Sequence, residues 1–409
     1  KPRVNRMFPN KIKLSLFLCL SMCLGIGILR FSYTALLPVT REAYDWTTNF
    51  ASLLSSANLL GYLIGAFWAL KLPQNQKLSF YIQMAAITGS LSLLACAFST
   101  FSASWYIGWR ILSGISGGLL MILSPSLIAQ CCQPEDRLSI NFIGFSGIGL
   151  GVLMATLFLP WLDQIATQIA WLLLFACSAL ICLVLIFLLH QFKPYLTDQS
   201  TQTTTIPVFN GLFLALLMVY ASSAFAYVPH SLFWIDYLSN TLNLNLYWIN
   251  FNWILYGIGS ALGAFVAFLL ARKFGNFTAL KILYSIYVLA ILIAVLNVYP
   301  IFTFISSFLT GMLNPAVVFL TSYTILQLFN QQYKKLWSIA TLVFATTQLI
   351  GGLTFSTLQK FGASYHHQFM LASFILLIGT LILMGYLYRH PTVQIKTKDK
   401  KFKHSIKNL

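Results

Sequence analysis

Long apolar stretches recur from one end of this chain to the other, separated by short polar connections. A helix needs roughly 20 apolar residues to cross a bilayer core. Twelve stretches approach that length: 12–38, 47–71, 78–100, 103–130, 138–160, 168–190, 207–233, 247–271, 277–299, 301–328, 335–358 and 366–388. They are continuous rather than alternating and about twice as long as a barrel strand. The expectation is an all-α integral membrane protein with twelve transmembrane helices. Only 8% of residues are charged, against about 25% in soluble domains, so most of the chain cannot face water.

The net charge of +17 would suggest nucleic acid in a soluble protein, but its placement argues otherwise. Of 25 Lys and Arg, 21 fall on one side of the twelve-span topology. They are Lys1, Arg3, Arg6, Lys11, Lys13, Lys71, Lys77, Arg137, Lys193, Arg272, Lys273, Lys281, Lys334, Lys335 and seven between Arg389 and Lys407. The other side receives Arg41 and Lys360, while Arg30 and Arg110 lie within spans. Basic loops mark the cytoplasmic side, which puts both termini there. The tail KTKDKKFKH then faces anionic lipid rather than nucleic acid. The first stretch is too long for a cleaved leader and is expected to stay as a span. Seven cysteines show no framework spacing, so no disulfide, metal or other cofactor is expected.

The chain also repeats itself. Gly61, Gly65, Ala66, Phe67 and Ala69 recur as Gly259, Gly263, Ala264, Phe265 and Ala267, an offset of 198. Phe31, Tyr33 and Glu42 fall on Phe225, Tyr227 and Asp236 at an offset of 194. Leu112, Gly114 and Gln130 fall on Leu309, Gly311 and Gln327 at 197. The Thr-rich loop QFKPYLTDQSTQTTTIP separates the copies. The expected organisation is a six-helix bundle over 1–190, a cytoplasmic linker over 191–206, a second bundle over 207–390 and a basic tail over 391–409. Paired six-helix halves characterise transporters that rock about a midplane site.

In these features the chain resembles the major facilitator superfamily over nearly its full length. The best local match is WRILSGISGG at 109–118, where an arginine is followed by glycine four residues later. The run from RFSYTALLP through SSANLLGYLIGAF is similar to the YbfB/YjiJ-type bacterial branch. Two departures stand out. The loops ALKLPQNQK and ARKFGNF lack the family's aspartate, so a gating salt bridge built from it is not expected, and GFSGIGLGVL lacks the Gly-Pro pair of the family's antiporters.

The resemblance implies that the first, fourth, seventh and tenth spans line a central cavity, and hence that Arg30 and Arg110 lie side by side at similar depth. A charge at mid-membrane costs ~2.5–3.5 kcal/mol on insertion scales and is functional by default. Arg30 is read either as held by backbone oxygens with Ser32, Tyr33 or Asn58, or as an anion binder in a wet cavity. Arg110 is read as substrate-binding or as structural. Tyr227 and Tyr256 are candidates for an aromatic wall, against the bland reading of an interfacial belt. Asn252, Asn314 and Gln348 could bond substrate oxygens or hold helices together. His230 with Asp236, and Glu42 at the mouth, are the candidates for coupling to protons.

The expected function is alternating-access movement, active or facilitative, of a small organic anion, a carboxylate or a carboxylate–metal chelate, by a monomer whose other partner is lipid. An exporter of amphipathic aromatic molecules is the alternative within the fold. A membrane-embedded enzyme would need a nucleophile, metal cluster or paired carboxylates at a span end, and the sequence offers no such arrangement.

Overall fold

The computed structural model describes residues 9–73, 77–157, 166–195, 210–296 and 300–391. Lys1, Arg3 and Arg6, most of the linker expected over 191–206 and the basic tail lie outside the described residues. Twelve helices are long and apolar enough to cross a membrane: α1 Lys11–Leu37, α2 Asn49–Lys71, α3 Lys77–Ala95, α4 Ala103–Cys131, α5 Arg137–Thr156, α6 Thr167–Tyr195, α7 Gly211–Thr241, α8 Leu246–Phe274, α9 Asn276–Ile293, α10 Pro300–Leu328, α11 Asn330–Lys360 and α12 Tyr365–Arg389. There is no strand among the described residues. Helices are expected where no water is available to satisfy the backbone, and mid-helix hydroxyls follow the same rule. Ser126, Thr324 and Ser338 each donate to the carbonyl four residues back, at 2.6–2.7 Å.

The helices form two pseudo-symmetric bundles, and the repeated glycines explain the likeness. A Cβ at Gly61 would lie 2.1 Å from the Ile111 carbonyl oxygen, and one at Gly259 would lie 2.2 Å from that of Phe308. Gly114 meets the Asn58 backbone, and Gly311 meets that of Tyr256, in the same way. Thus α2 crosses α4, and α8 crosses α10, at backbone contact. Association between helices in lipid depends on such close approach, because burial of apolar surface supplies no drive there.

Two helices leave α geometry where the repeat predicts ordinary spans. In α1, residues Cys23–Phe31 run in wider π-type turns, and in α7 the same occurs at Pro229–Phe233 and Tyr237–Thr241. Pro229 supplies no backbone N–H to the ladder, which accounts for the first break in α7. Such bulges re-aim the side chains beyond them and gather at functional sites. Arg30 is the penultimate residue of the α1 stretch.

The seam between the bundles closes at the end that carries Lys13, Lys71, Arg137 and Lys334, here termed the basic end. There Lys334 Nζ donates to the Leu72 carbonyl, and Trp337 Nε1 donates to the Met121 carbonyl at 3.1 Å. Phe142 of α5 stacks on Phe268 of α8, with centroids 4.7 Å apart. Trp337 is fully buried against Phe145 and Tyr220.

These contacts make the glycines a direct test of the packing. Gly61→Leu or Gly259→Leu should destabilise the purified protein by about 1–3 kcal/mol or more through overpacking. Gly108→Ala should not, since nothing lies within 4 Å of a Cβ there. Melting curves in detergent would decide, and an unchanged melt for Gly61→Leu would mean that α2 and α4 do not touch as described.

Candidate functional site

Away from the basic end the halves part. A crevice of about 230 Å³ runs between α1 and α2 on one side and α7 and α11 on the other. Below it lies a smaller chamber of about 40 Å³, walled by Tyr62, Tyr220, Tyr227, Tyr256, Asn314 and Phe344. Both exceed the roughly 10–15 Å³ that a single water needs, and the crevice is the roomier. Arg30 and Phe31 line both.

Arg30 stands at the boundary between crevice and chamber. Its Nη2 donates to Gln348 Oε1 at 2.6 Å, so a side chain of the first half grips one of the second. Its guanidinium carbon lies 5.6 Å from the Tyr62 ring centroid and 5.8 Å from that of Phe31. Rings at this distance stabilise a cation by about 0.5–2 kcal/mol. Arg30 is half-buried and pairs with no carboxylate among the described residues. Gln348 is fully buried, and its Nε2 has no partner there.

Arg110 is held differently. Its Nη1 donates to the Leu29 carbonyl at 3.4 Å and its Nε to the Leu54 carbonyl at 3.5 Å. Its guanidinium carbon sits 4.0 Å from the Tyr33 ring centroid, and the residue is 2% exposed. Tyr33 is fixed in turn by its hydroxyl, which donates to the Ala51 carbonyl at 3.1 Å. Asn58 Nδ2 donates to the Arg110 carbonyl at 3.4 Å. Arg110, Tyr33 and Asn58 all border the crevice, but each is already engaged.

The structure therefore gathers most of the residues singled out in the sequence. Arg30, Tyr33, Asn58 and Arg110 border the crevice, and Arg30, Tyr227, Tyr256 and Asn314 border the chamber. Gln348 joins them through Arg30, and the Tyr227 and Tyr256 hydroxyls bond each other. Asn252 lies apart, fully buried within the second bundle, where its Oδ1 accepts from Ser307 at 2.7 Å.

The coupling candidates do not assemble. His230 is buried among Ser306, Trp234 and Phe369. Ser306 Oγ donates its one hydrogen to the Ala290 carbonyl at 2.8 Å, so it accepts from His230 Nε2, also at 2.8 Å. That leaves Nδ1 bare, and it has no partner among the described residues. Asp236 instead accepts from the Tyr365 hydroxyl and the Asn240 amide. Glu42 is exposed at the end of the helical run that follows α1.

Sequence reasoning passed over Ser52, Ser55 and Ser56, which line the crevice, and Tyr62 and Tyr220, which line the chamber. A signal was there. Ser52, Ser55, Ser56, Asn58 and Tyr62 are spaced to lie along one side of a helix, where i, i+3 and i+4 are neighbours. No group of three or more His, Cys, Asp or Glu among the described residues could hold a metal ion.

The two arginines should separate by stability. Arg110→Lys forfeits the fork and the ring contact and should lower stability by about 1–3 kcal/mol. Arg30→Lys, in a wet crevice, should melt within error of the parent. Equal losses for both would mean that Arg30 is as locked as Arg110.

Comparisons with known proteins fit this geometry. The family described as uncharacterised MFS-type transporter YbfB matches residues 22–384. Among solved structures, the chain is similar to the human organic anion transporter MFSD10 (TETRAN), at TM-score 0.71 and 14% identity, covering 92% of this chain and 100% of that one. It is similar to the proton:xylose symporter XylE bound to 6-bromo-6-deoxy-D-glucose, at TM-score 0.73 and 15% identity, covering 93% and 95%. It is also similar to a bacterial homologue of the iron transporter ferroportin in an outward-facing state, at TM-score 0.69 and 14% identity, covering 92% and 98%. At these identities the likeness speaks for the fold alone.

Proposed function

Because this chain belongs to the YbfB-type family of major facilitator superfamily transporters, we propose that it carries a small organic anion, a carboxylate, across the bacterial inner membrane by alternating access. The halves 1–190 and 207–390 are the rocking bodies in this proposal, joined by 191–206, with both termini and the basic end in the cytoplasm. The chain works as a monomer. The crevice is then the outward vestibule, and the Lys334 and Trp337 contacts are the closed inner gate.

One observation carries the anion. Arg30 sits where the vestibule narrows, with a guanidinium that is half-buried, unpaired by any carboxylate among the described residues and bonded by one of its five N–H groups to a neutral amide. A carboxylate entering from above finds a planar fork of donors partly stripped of water, the setting in which charge-assisted pairs are strongest. Tyr227, Tyr256 and Asn314 lie immediately below with neutral polar groups to receive it. Organic anion transport by MFSD10, a distant relative in fold, is compatible with this reading. The burial of His230 away from the crevice favours movement without a proton.

Uptake into proteoliposomes tests the assignment. Arg30→Ala should reduce transport of an anionic substrate by about tenfold or more, since a hydrogen bond to a charged group is worth roughly 1.5–3 kcal/mol. Arg30→Lys should retain part of it, keeping the charge but losing the fork. Unchanged transport by both variants would sink the role of Arg30. Accumulation should follow an imposed membrane potential and ignore an imposed pH gradient, and the opposite result would return His230 and Asp236 to consideration.

A further inference from the structure

Two arginines border the crevice, but they are unequally open to a ligand. Arg110 is 2% exposed, with two N–H groups on main-chain oxygens and one face under the Tyr33 ring. Arg30 has given a single N–H to Gln348. A ligand with two carboxylates would match one of them to Arg30, while the other would find only Arg110, 2% exposed and already held by main-chain oxygens and the Tyr33 ring, and would be left poorly paired.

The walls are unlike each other. On α2, Ser52 and Ser55 present hydroxyls that have no partner among the described residues, and Ser56 donates to the Ser52 carbonyl at 3.1 Å. Thr34 of α1 lies on the same side. The facing wall is mostly hydrocarbon, from Leu232 and Phe233 on α7 and Leu349 and Leu353 on α11. The 230 Å³ between them leaves room for a small organic body.

Resting on the anion reading above, we propose that the crevice selects a monoanion. Its single carboxylate sits on Arg30, one flank bonds the α2 hydroxyls through a hydroxyl or oxo oxygen, and the other flank lies apolar against α7 and α11. The class is short hydroxy- or oxo-monocarboxylates, not di- or tricarboxylates or their metal chelates.

Matched probes test this on the purified full-length protein by thermal shift, and by competition for uptake in proteoliposomes. The probes are butyrate, 3-hydroxybutyrate, malate, citrate with and without Mg²⁺, mandelate, phthalate and neutral 1,3-butanediol. The monocarboxylates should bind at least about tenfold more tightly than their dicarboxylate counterparts, reflecting the unpaired second charge. Arg30→Gln should abolish that binding. Ser55→Ala should weaken 3-hydroxybutyrate several-fold and leave butyrate unchanged. Malate or citrate binding as well as the monoanions would overturn the charge count while leaving organic-anion transport intact. Binding of butanediol but of no anion would overturn both. An unchanged preference for 3-hydroxybutyrate in Ser55→Ala would remove the hydroxyl flank from the proposal.

Discussion

Arg30 donates across the seam to Gln348, and that hydrogen bond ties together everything distinctive about this molecule. It forms at the end of the π-type stretch of α1, so the local departure from α geometry is what aims the guanidinium at the other half. It stands where crevice and chamber adjoin, so the same guanidinium borders both cavities. Its acceptor is a neutral amide, which compensates a cation only in part. A charge in a low-dielectric surround draws a counter-charge strongly, and the vestibule is where one can arrive. Gln348 keeps a bare Nε2 in the same place, so both members of the bond have capacity left over.

The repeat makes the asymmetry of the charge plain. At an offset of 194 Arg30 falls on Ala224, and at 197 Arg110 falls on Ser307. Where the first half holds a guanidinium against carbonyls, the second holds a neutral chain in which Trp234 Nε1 donates to Ser307 Oγ at 2.9 Å and Ser307 donates to Asn252. The glycine crossings are shared, because both bundles need the same close approach. The charges are not shared, because they belong to one wall of the site. A duplicated scaffold has kept its packing and specialised one face.

Much of this was legible in the residues themselves. Span number and the two halves follow from run length and from the recurrence of Gly61 and Gly65 as Gly259 and Gly263, since hydrocarbon thickness and helix contact leave little choice. Arg30 declared itself by depth alone. What could not be read was how each polar side chain is satisfied. Arg30 and Arg110 look alike in sequence, yet one meets Leu29 and Leu54 oxygens and the other meets an amide 318 positions away. His230 and Asp236 are six positions apart, but the irregular turns of α7 and the hydroxyls of Ser306 and Tyr365 give each its own partner. Such choices are made by tertiary neighbours, and sequence spacing carries no record of them.

The closed end shows how such a molecule stays able to move. The loop after α2 lacks the acid from which its superfamily builds a gating salt bridge, and at that point Lys334 of α11 donates to the Leu72 carbonyl instead. Lys334 is 5% exposed in the closed seam, where its ammonium has one main-chain oxygen as partner. A buried charge with a neutral partner recovers little of its desolvation. Under the alternating-access proposal, opening returns water to that ammonium and costs the Trp337 bond to Met121 and its packing on Phe145 across the seam. The seal therefore sets aromatic burial, which favours closure, against the solvation of one lysine, which favours opening. A ligand can shift two such states only by its differential affinity for them. Under the proposed function, a carboxylate on Arg30 arrives beside a bond that spans both halves, and so bears on the same opposition.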